Sequence, residues 1–156
     1  MAVFEFTNAQ DVAAVLGGHS VRYLFFGKSG AILLGYSDST QAVGLYVEKQ
    51  GENCEKLVPA LRDLGFALNP AEQAEIRRGK DFIQLRNGPF DLDLIFAPDG
   101  IERFEDAWSR RVEKHGFPIT NIDDIIASKQ AANRQKDKES LPRLLSFRDW
   151  LKSGRG

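Results

Sequence analysis

The chain has one cysteine, one methionine and two histidines among its 156 residues. A lone Cys54 excludes a disulfide framework and every metal site built on CxxC pairs. His19 and His115 fall in a loop and a turn, without the Ser, Cys or carboxylate spacing of a triad or zinc site, and no HExxH or GxSxG occurs. No apolar run approaches the roughly 18 residues of a membrane helix. Met1–Phe6 lacks a basic start and a long apolar core, so no signal peptide and no membrane partner are expected, and a reducing cytoplasm is the expected compartment. No repeat, linker or low-complexity segment interrupts the chain. Neither sign of charge dominates: 21 basic side chains stand against 22 acidic ones, a formal net charge of −1. With 42% hydrophobic and 28% charged residues, disordered and fibrous classes are ruled out. One domain, residues 1–156, is the natural count, large enough to need no disulfide or metal to hold it.

The near-zero charge is an average over unlike parts. Residues 1–102 carry 14 acids and 9 bases, whereas residues 103–156 carry 8 acids and 12 bases. Most of the basic excess lies between Lys129 and Arg155. A basic end facing an acidic body can grip a phosphate-bearing ligand; the plainer reading is a solvated helix surface.

Apolar spacing predicts a helix over Asn8–Gly17, a buried strand over Val21–Phe26, a short helix over Ser29–Leu34, a strand near Ala42–Val47 and an amphipathic helix over Glu52–Leu64. A charged stretch, Glu72–Lys80, precedes a β-hairpin with arms Asp81–Arg86 and Phe90–Phe96 and an Asn87-Gly88 turn, a pair that accepts positive φ. Then come a helix over Ile101–Val112, an extended Phe117–Ile119, a helix from an Asn121 or Thr120 cap to Ala132, and a helix over Ser140–Leu151. This order predicts an α/β (α+β) single domain with a mixed β-sheet flanked by helices.

Three places suggest chemistry. Gly27-Lys28-Ser29 follows a strand, but the glycine that a phosphate-binding P-loop needs five positions earlier is Arg22, so that motif is rejected. What remains is a tight strand-to-helix turn whose helix N-terminus can accept an anion. Asp91 and Asp93 lie two apart on one strand and face one side, opposite Phe90, Leu92, Leu94 and Phe96. Such a pair repels unless water, a metal or a basic side chain separates it; it suits Mg²⁺ shared with phosphates, or simply a polar outer face. Lys129 continues the apolar stripe of Ile122, Ile125 and Ile126, so it either snorkels outward or reaches into a cleft. Arg134 and Lys136 add two cations just beyond it.

Together these pieces resemble the nucleotidyltransferase superfamily, in particular its minimal and AbiEii-toxin-like members. The resemblance rests on Phe26-Gly27-Lys28-Ser29-Gly30-Ala31 through Gly35-Tyr36, on Asp93-Leu94, and on Lys129 followed by Arg134, Lys136 and Asp137. It implies that Gly27 and Ser29 line a triphosphate site, that Asp93 is a metal-holding carboxylate, and that Lys129, Arg134 and Lys136 complete the pocket. The family pattern continues with an arginine, a threonine and two aspartates spaced by one residue. Here Thr40 is in place, Asp38 replaces the arginine, and Ala42 and Gly44 stand where the aspartates belong. Two-metal transfer needs those carboxylates. Lys28 sets a fixed positive charge at the same turn, a partial substitute for a missing ion.

Three readings follow. The first is a nucleotidyltransferase-fold protein with impaired catalysis that binds a nucleotide or other phosphate-bearing ligand between the Gly27 turn and the Lys129 helix. The second is an active transferase holding Mg²⁺, the one cofactor this chemistry calls for, on Asp91 and Asp93 with help from Asp38. The third is a non-enzymatic interaction module, such as a toxin–antitoxin component, whose basic half meets a protein partner, a second copy or RNA.

Overall fold

The computed structural model describes residues 3–155. Helix α1 (Phe6–Gly18) buries Ala9, Val12 and Leu16. Strand β1 (Tyr23–Phe26) is buried throughout, and Gly27, at φ +66°, turns it directly into α2 (Gly27–Leu34). Strand β2 (Val43–Val47) returns antiparallel to β1 with Phe26 opposite Gly44. Helix α3 (Gly51–Leu64) buries Leu57 and Leu61, and Gly65 closes it in the left-handed conformation.

Helix α4 (Pro70–Arg78) occupies the charged stretch for which apolar spacing gives no element. Its signals are local. Asn69 and Glu72 form a reciprocal capping box, Pro70 opens the first turn, and left-handed Gly79 ends it. Only Ile76 is buried, which is why periodicity is silent there.

Strands β3 (Phe82–Leu85) and β4 (Leu92–Ile95) pair antiparallel as expected, with Gln84 opposite Asp93. The connection is not a two-residue turn at Asn87-Gly88, because Leu85 pairs with Leu92 and residues 86–91 form the loop. Phe90 is drawn into the core edge-on to Phe66, with ring centroids 5.4 Å apart. Gly88 lies against the Phe66 ring, so a Cβ there would fall inside contact distance of it. Gly88→Ala is therefore expected to cost about 2 kcal/mol by overpacking, read as a lower denaturation midpoint with unchanged slope. An unchanged midpoint would mean that Phe66 and Phe90 repack freely.

The helix expected over Ile101–Val112 is shorter: α5 spans Phe104–Ser109. Beyond it Arg110 forms a two-pronged pair with Asp124, Nε and Nη2 each 3.1 Å from a carboxylate oxygen, which leads the chain away from the helical path. Strand β5 (Val112–Lys114) then pairs with β6 (Phe117–Ile119) across His115-Gly116. Both turn residues have positive φ, 56° and 81°, so the tight hairpin turn of this fold is here. Helix α6 (Ile122–Ala132) is capped by Asn121, whose Oδ1 accepts from the Asp124 N–H at 2.9 Å. Helix α7 (Gln135–Trp150) begins five residues before the Ser140 start that its apolar pattern predicts, because Asp137 and Arg134 cap it. A further turn, Leu151–Arg155, follows, kinked where Gly154 takes φ +81°.

The result is a mixed α+β domain with a six-stranded sheet ordered β3-β4-β2-β1-β6-β5. Strands β2 and β4 run parallel, as do β1 and β6; the other neighbours are antiparallel. One face carries the main core, with Phe25, Leu45, Leu94 and Ile119 beneath helices contributing Leu16, Leu57, Ile125 and Leu144. On the other face a smaller cluster of Leu24, Phe26, Tyr46, Ile101 and Phe104 is covered by α5. That cover leaves part of β3 and β4 open. Among the described residues, no helix is long and apolar enough to cross a membrane.

Candidate functional site

The uncovered part of the sheet forms one wall of a cleft of about 550 Å³. The Gly27 turn forms its floor, and α6 with the start of α7 closes it opposite the sheet. The structure brings Gly27, Lys28, Ser29, Thr40, Asp93, Lys129, Arg134 and Lys136 to this one cleft from segments more than a hundred residues apart in sequence. Asp91 is not among its lining residues. It precedes β4, with its Oδ2 3.7 Å from Arg86 Nε.

Lys28 stands in the first turn of α2, with its Nζ 3.3 Å from Asp38 Oδ2. Asp38 also lies 3.6 Å from Arg143. A bond from the Ser39 N–H, then the Lys28 and Arg143 charges, hold the Asp38 carboxyl below its ordinary range. Ser29 is committed to the scaffold: its hydroxyl donates to Phe26 O at 3.0 Å and accepts from the Gly44 N–H at 2.9 Å. It shapes the turn and has no proton left for a phosphate.

Lys129 reaches inward. Its side chain is 16% exposed, and its Nζ lies 3.7 Å from Asp137 Oδ1. Burial lowers the Lys129 pKa, opposed by Asp137 and reinforced by Lys28, Arg134 and Lys136. Asp137 is fully buried and accepts from the Arg134 backbone N–H at 3.1 Å and from Arg134 Nε at 2.7 Å. Burial alone would raise this carboxyl, but the Arg134 bonds and the Arg134 and Lys129 charges outweigh it and hold it low. Lys136 has no ion-pair partner among the described residues and acts on both Asp93 and Lys129.

Asp93 is the carboxylate that β4 places in the cleft. Its Oδ1 is buried without a directed hydrogen bond, although Arg86 Nη2 lies 2.9 Å away, close enough to pair by charge but off the line of a bond. Burial raises its pKa, and Arg86 and Lys136 oppose that rise. Arg86 is the residue that sequence spacing misses. The signal for it is the hairpin register, which sets residue 86 across the loop from Asp91, the basic separator that the Asp91–Asp93 pair requires.

The side chains present do not fit a pair of metal ions. Gly44 is the direct neighbour of Asp93 in the parallel β2–β4 register, so the position that would oppose Asp93 with a second carboxylate has no side chain. Ala42, just before that strand on the cleft lining, adds none either. Asp91 and Asp93 share Arg86, and no group of three or more His, Cys, Asp or Glu among the described residues is placed to hold a metal. Two ions need carboxylates on more than one side. The cleft instead sets Lys28, Lys129, Arg134 and Lys136 around Asp93, with Asp81 and Asp99 also on its lining, and its cations are suited to direct contact with an anion.

A solved structure from Thermotoga maritima, described as that of a "putative nucleotidyltransferase", matches this chain with a TM-score of 0.57 over 91% of its length and 92% of the other chain, at 14% sequence identity. The likeness is one of fold: this domain is nucleotidyltransferase-like in architecture. No protein-family model matches the sequence, and no curated protein matches it.

Proposed function

We propose that the chain is a nucleotidyltransferase-fold protein without working transfer chemistry, which binds a nucleotide or other phosphate-bearing ligand in the cleft between the Gly27 turn and the Lys129 helix. The observation that carries this reading is Gly44 beside Asp93 on one wall, with Lys28, Lys129, Arg134 and Lys136 converging on the same space. Lys136, with no ion-pair partner among the described residues, makes the first contact with an entering anion. Lys28 exchanges Asp38 for a phosphate oxygen, since a doubly charged phosphate competes well with one exposed carboxylate. Lys129 stays pinned to Asp137 and contributes field from behind.

The test is a thermal-shift series with nucleoside triphosphates and inorganic triphosphate, each with Mg²⁺ or with a chelator. Ligand at a hundred times its dissociation constant adds about 2.7 kcal/mol to stability. For a chain of this size that raises the midpoint by roughly 5–10 °C. The shift is expected to persist in chelator, with no label transferred from the triphosphate. A shift abolished by chelator, or transfer of label, would instead support the Mg²⁺-dependent enzyme. No shift with any phosphate compound would favour an interaction module, to be sought as salt-sensitive binding to a protein or RNA partner.

A further inference from the structure

The cations of the cleft are held by unlike acids. Lys129 and Arg134 share Asp137, which is fully buried and out of a ligand's reach. Lys28 is held by Asp38, whose side chain is 24% exposed on the loop between α2 and β2. Of the acids on the cleft lining, Asp81 pairs with Lys49 at 4.0 Å and Asp93 with Arg86 at 2.9 Å, while Asp99 has no ion-pair partner among the described residues. Among the described residues, Asp38 is therefore the acid that both neutralises a cleft cation and stands where it can give way.

Its two oxygens are used differently. Oδ1 accepts from the Ser39 N–H at 2.7 Å. Oδ2 is shared by two cations, 3.3 Å from Lys28 Nζ and 3.6 Å from Arg143 Nη1. Arg143 is fixed in place, because its Nη2 donates to Ser37 O at 2.6 Å and its guanidinium lies over the Tyr36 ring, 5.3 Å from the centroid. It lines a separate hollow with Tyr36, Phe147 and Trp150. The loop is also pinned beyond Asp38, where the Phe4 N–H donates to Thr40 O at 2.8 Å. A gap of 3.6 Å is too long for a hydrogen bond. A small side-chain rotation can close it, moving Oδ2 from Lys28 to Arg143 while Oδ1 keeps its Ser39 bond. Asp38 also stands where the resembled pattern has an arginine, so the charge beside the Gly27 turn is reversed.

We propose that Asp38 is a built-in competitor for the ligand phosphate: its carboxylate occupies the Lys28 ammonium, and an entering phosphate displaces Oδ2 onto Arg143. The proposal rests on the phosphate-binding reading above and adds the regulation of that site. The hand-over leaves no charge unpaired, yet it holds affinity below what the cations alone would give. Arg143 acts through Asp38 and is a positioning residue.

Calorimetric titration of the full chain with inorganic triphosphate in chelator tests it. Asp38→Asn is expected to bind about fivefold more tightly than the parent, the upper value for one partly exposed ion pair. Repulsion through space would give the same sign, so two further variants separate the causes. In a Lys28→Met background Asp38→Asn is expected to gain nothing, because no blocked ammonium is left to free; repulsion would persist there. Arg143→Gln is expected to weaken triphosphate about threefold in the parent and to have no effect beside Asp38→Asn, where no carboxylate needs receiving. If Lys28→Met binds too weakly to titrate, the Arg143 comparison decides alone. All three side chains are partly exposed, so melting midpoints should stay within a few degrees of the parent's. Equal affinity of parent and Asp38→Asn, a gain that persists in Lys28→Met, or the same Arg143→Gln loss in both backgrounds overturns the proposal and leaves the phosphate-binding reading standing. Failure of both the parent and Asp38→Asn to bind triphosphate overturns the two together.

Discussion

Gly44→Asp lowers the stability of the domain by about 3 kcal/mol and creates no metal site. An aspartate there is what the resemblance to nucleotidyltransferases would restore, yet the local structure has closed over the position. A Cβ on residue 44 would stand 2.8 Å from Phe26 O and 3.6 Å from Ser29 Oγ. Both are fixed: Phe26 O belongs to the β1–β2 pair, and the Ser29 hydroxyl is held between Phe26 O and the Gly44 N–H. Separating them strains the β1–α2 turn. The new carboxylate would also meet Asp93, its neighbour in the β2–β4 register, before any cation could separate the two. Gly44→Ala isolates the steric part and is expected to show most of the loss. The measurement is a denaturation midpoint with and without Mg²⁺, with a fall of roughly 6–12 °C expected that the metal does not recover. An aspartate variant as stable as the parent, or one that gains several degrees with Mg²⁺, would mean that the position is still open for a metal ligand.

What sequence makes legible here follows the range of the forces involved. The α6 helix declares itself through Ile122, Ile125 and Ile126 and the Asn121 cap, all within a few residues; the same stripe leaves Lys129 either to snorkel outward or to reach inward, and its contact with Asp137 across the α6–α7 junction draws it in. The Gly27 turn is legible because a strand meeting a helix in one step needs a residue that accepts φ +66°. Helix α4 hides from periodicity because one residue faces the core, though its capping box is plain to read. At Asn87-Gly88 the local preference for a tight turn yields to burial of Phe90 against Phe66, a contact no short window contains. The same limit applies in the cleft. The convergence of the Gly27 turn with Lys129, Arg134 and Lys136 is anticipated through a resemblance that spans the chain. Arg86 is defined by its partners across a strand pair, and only the register reveals it.

The cleft's cations in turn depend on Asp137, and Asp137→Asn is expected to be the most damaging conservative change in the molecule. The carboxylate is fully buried, closes the capping box of α7 and pairs with Lys129, whose own side chain is 16% exposed. Removing one partner from a buried pair leaves an uncompensated charge and costs about 3–5 kcal/mol; Arg134, which is well exposed, adds little to that figure. The pH dependence fixes the cause. Because the folded-state pKa of Asp137 is lowered from its ordinary 3.8, its contribution is present above that value and is lost as pH falls through the lower folded value. Parent and Asn variant should therefore differ fully at neutral pH and converge only in strong acid. Without Asp137, burial of Lys129 is no longer opposed, its pKa falls further, and its proton is released at a lower pH. Phosphate binding in the variant should then fade at lower pH than in the parent, measured by titrating inorganic triphosphate across the alkaline range. A variant with parental stability and a parental pH profile would show that Lys129 holds its charge without the carboxylate, and that the positive wall of the cleft does not depend on the α6–α7 junction.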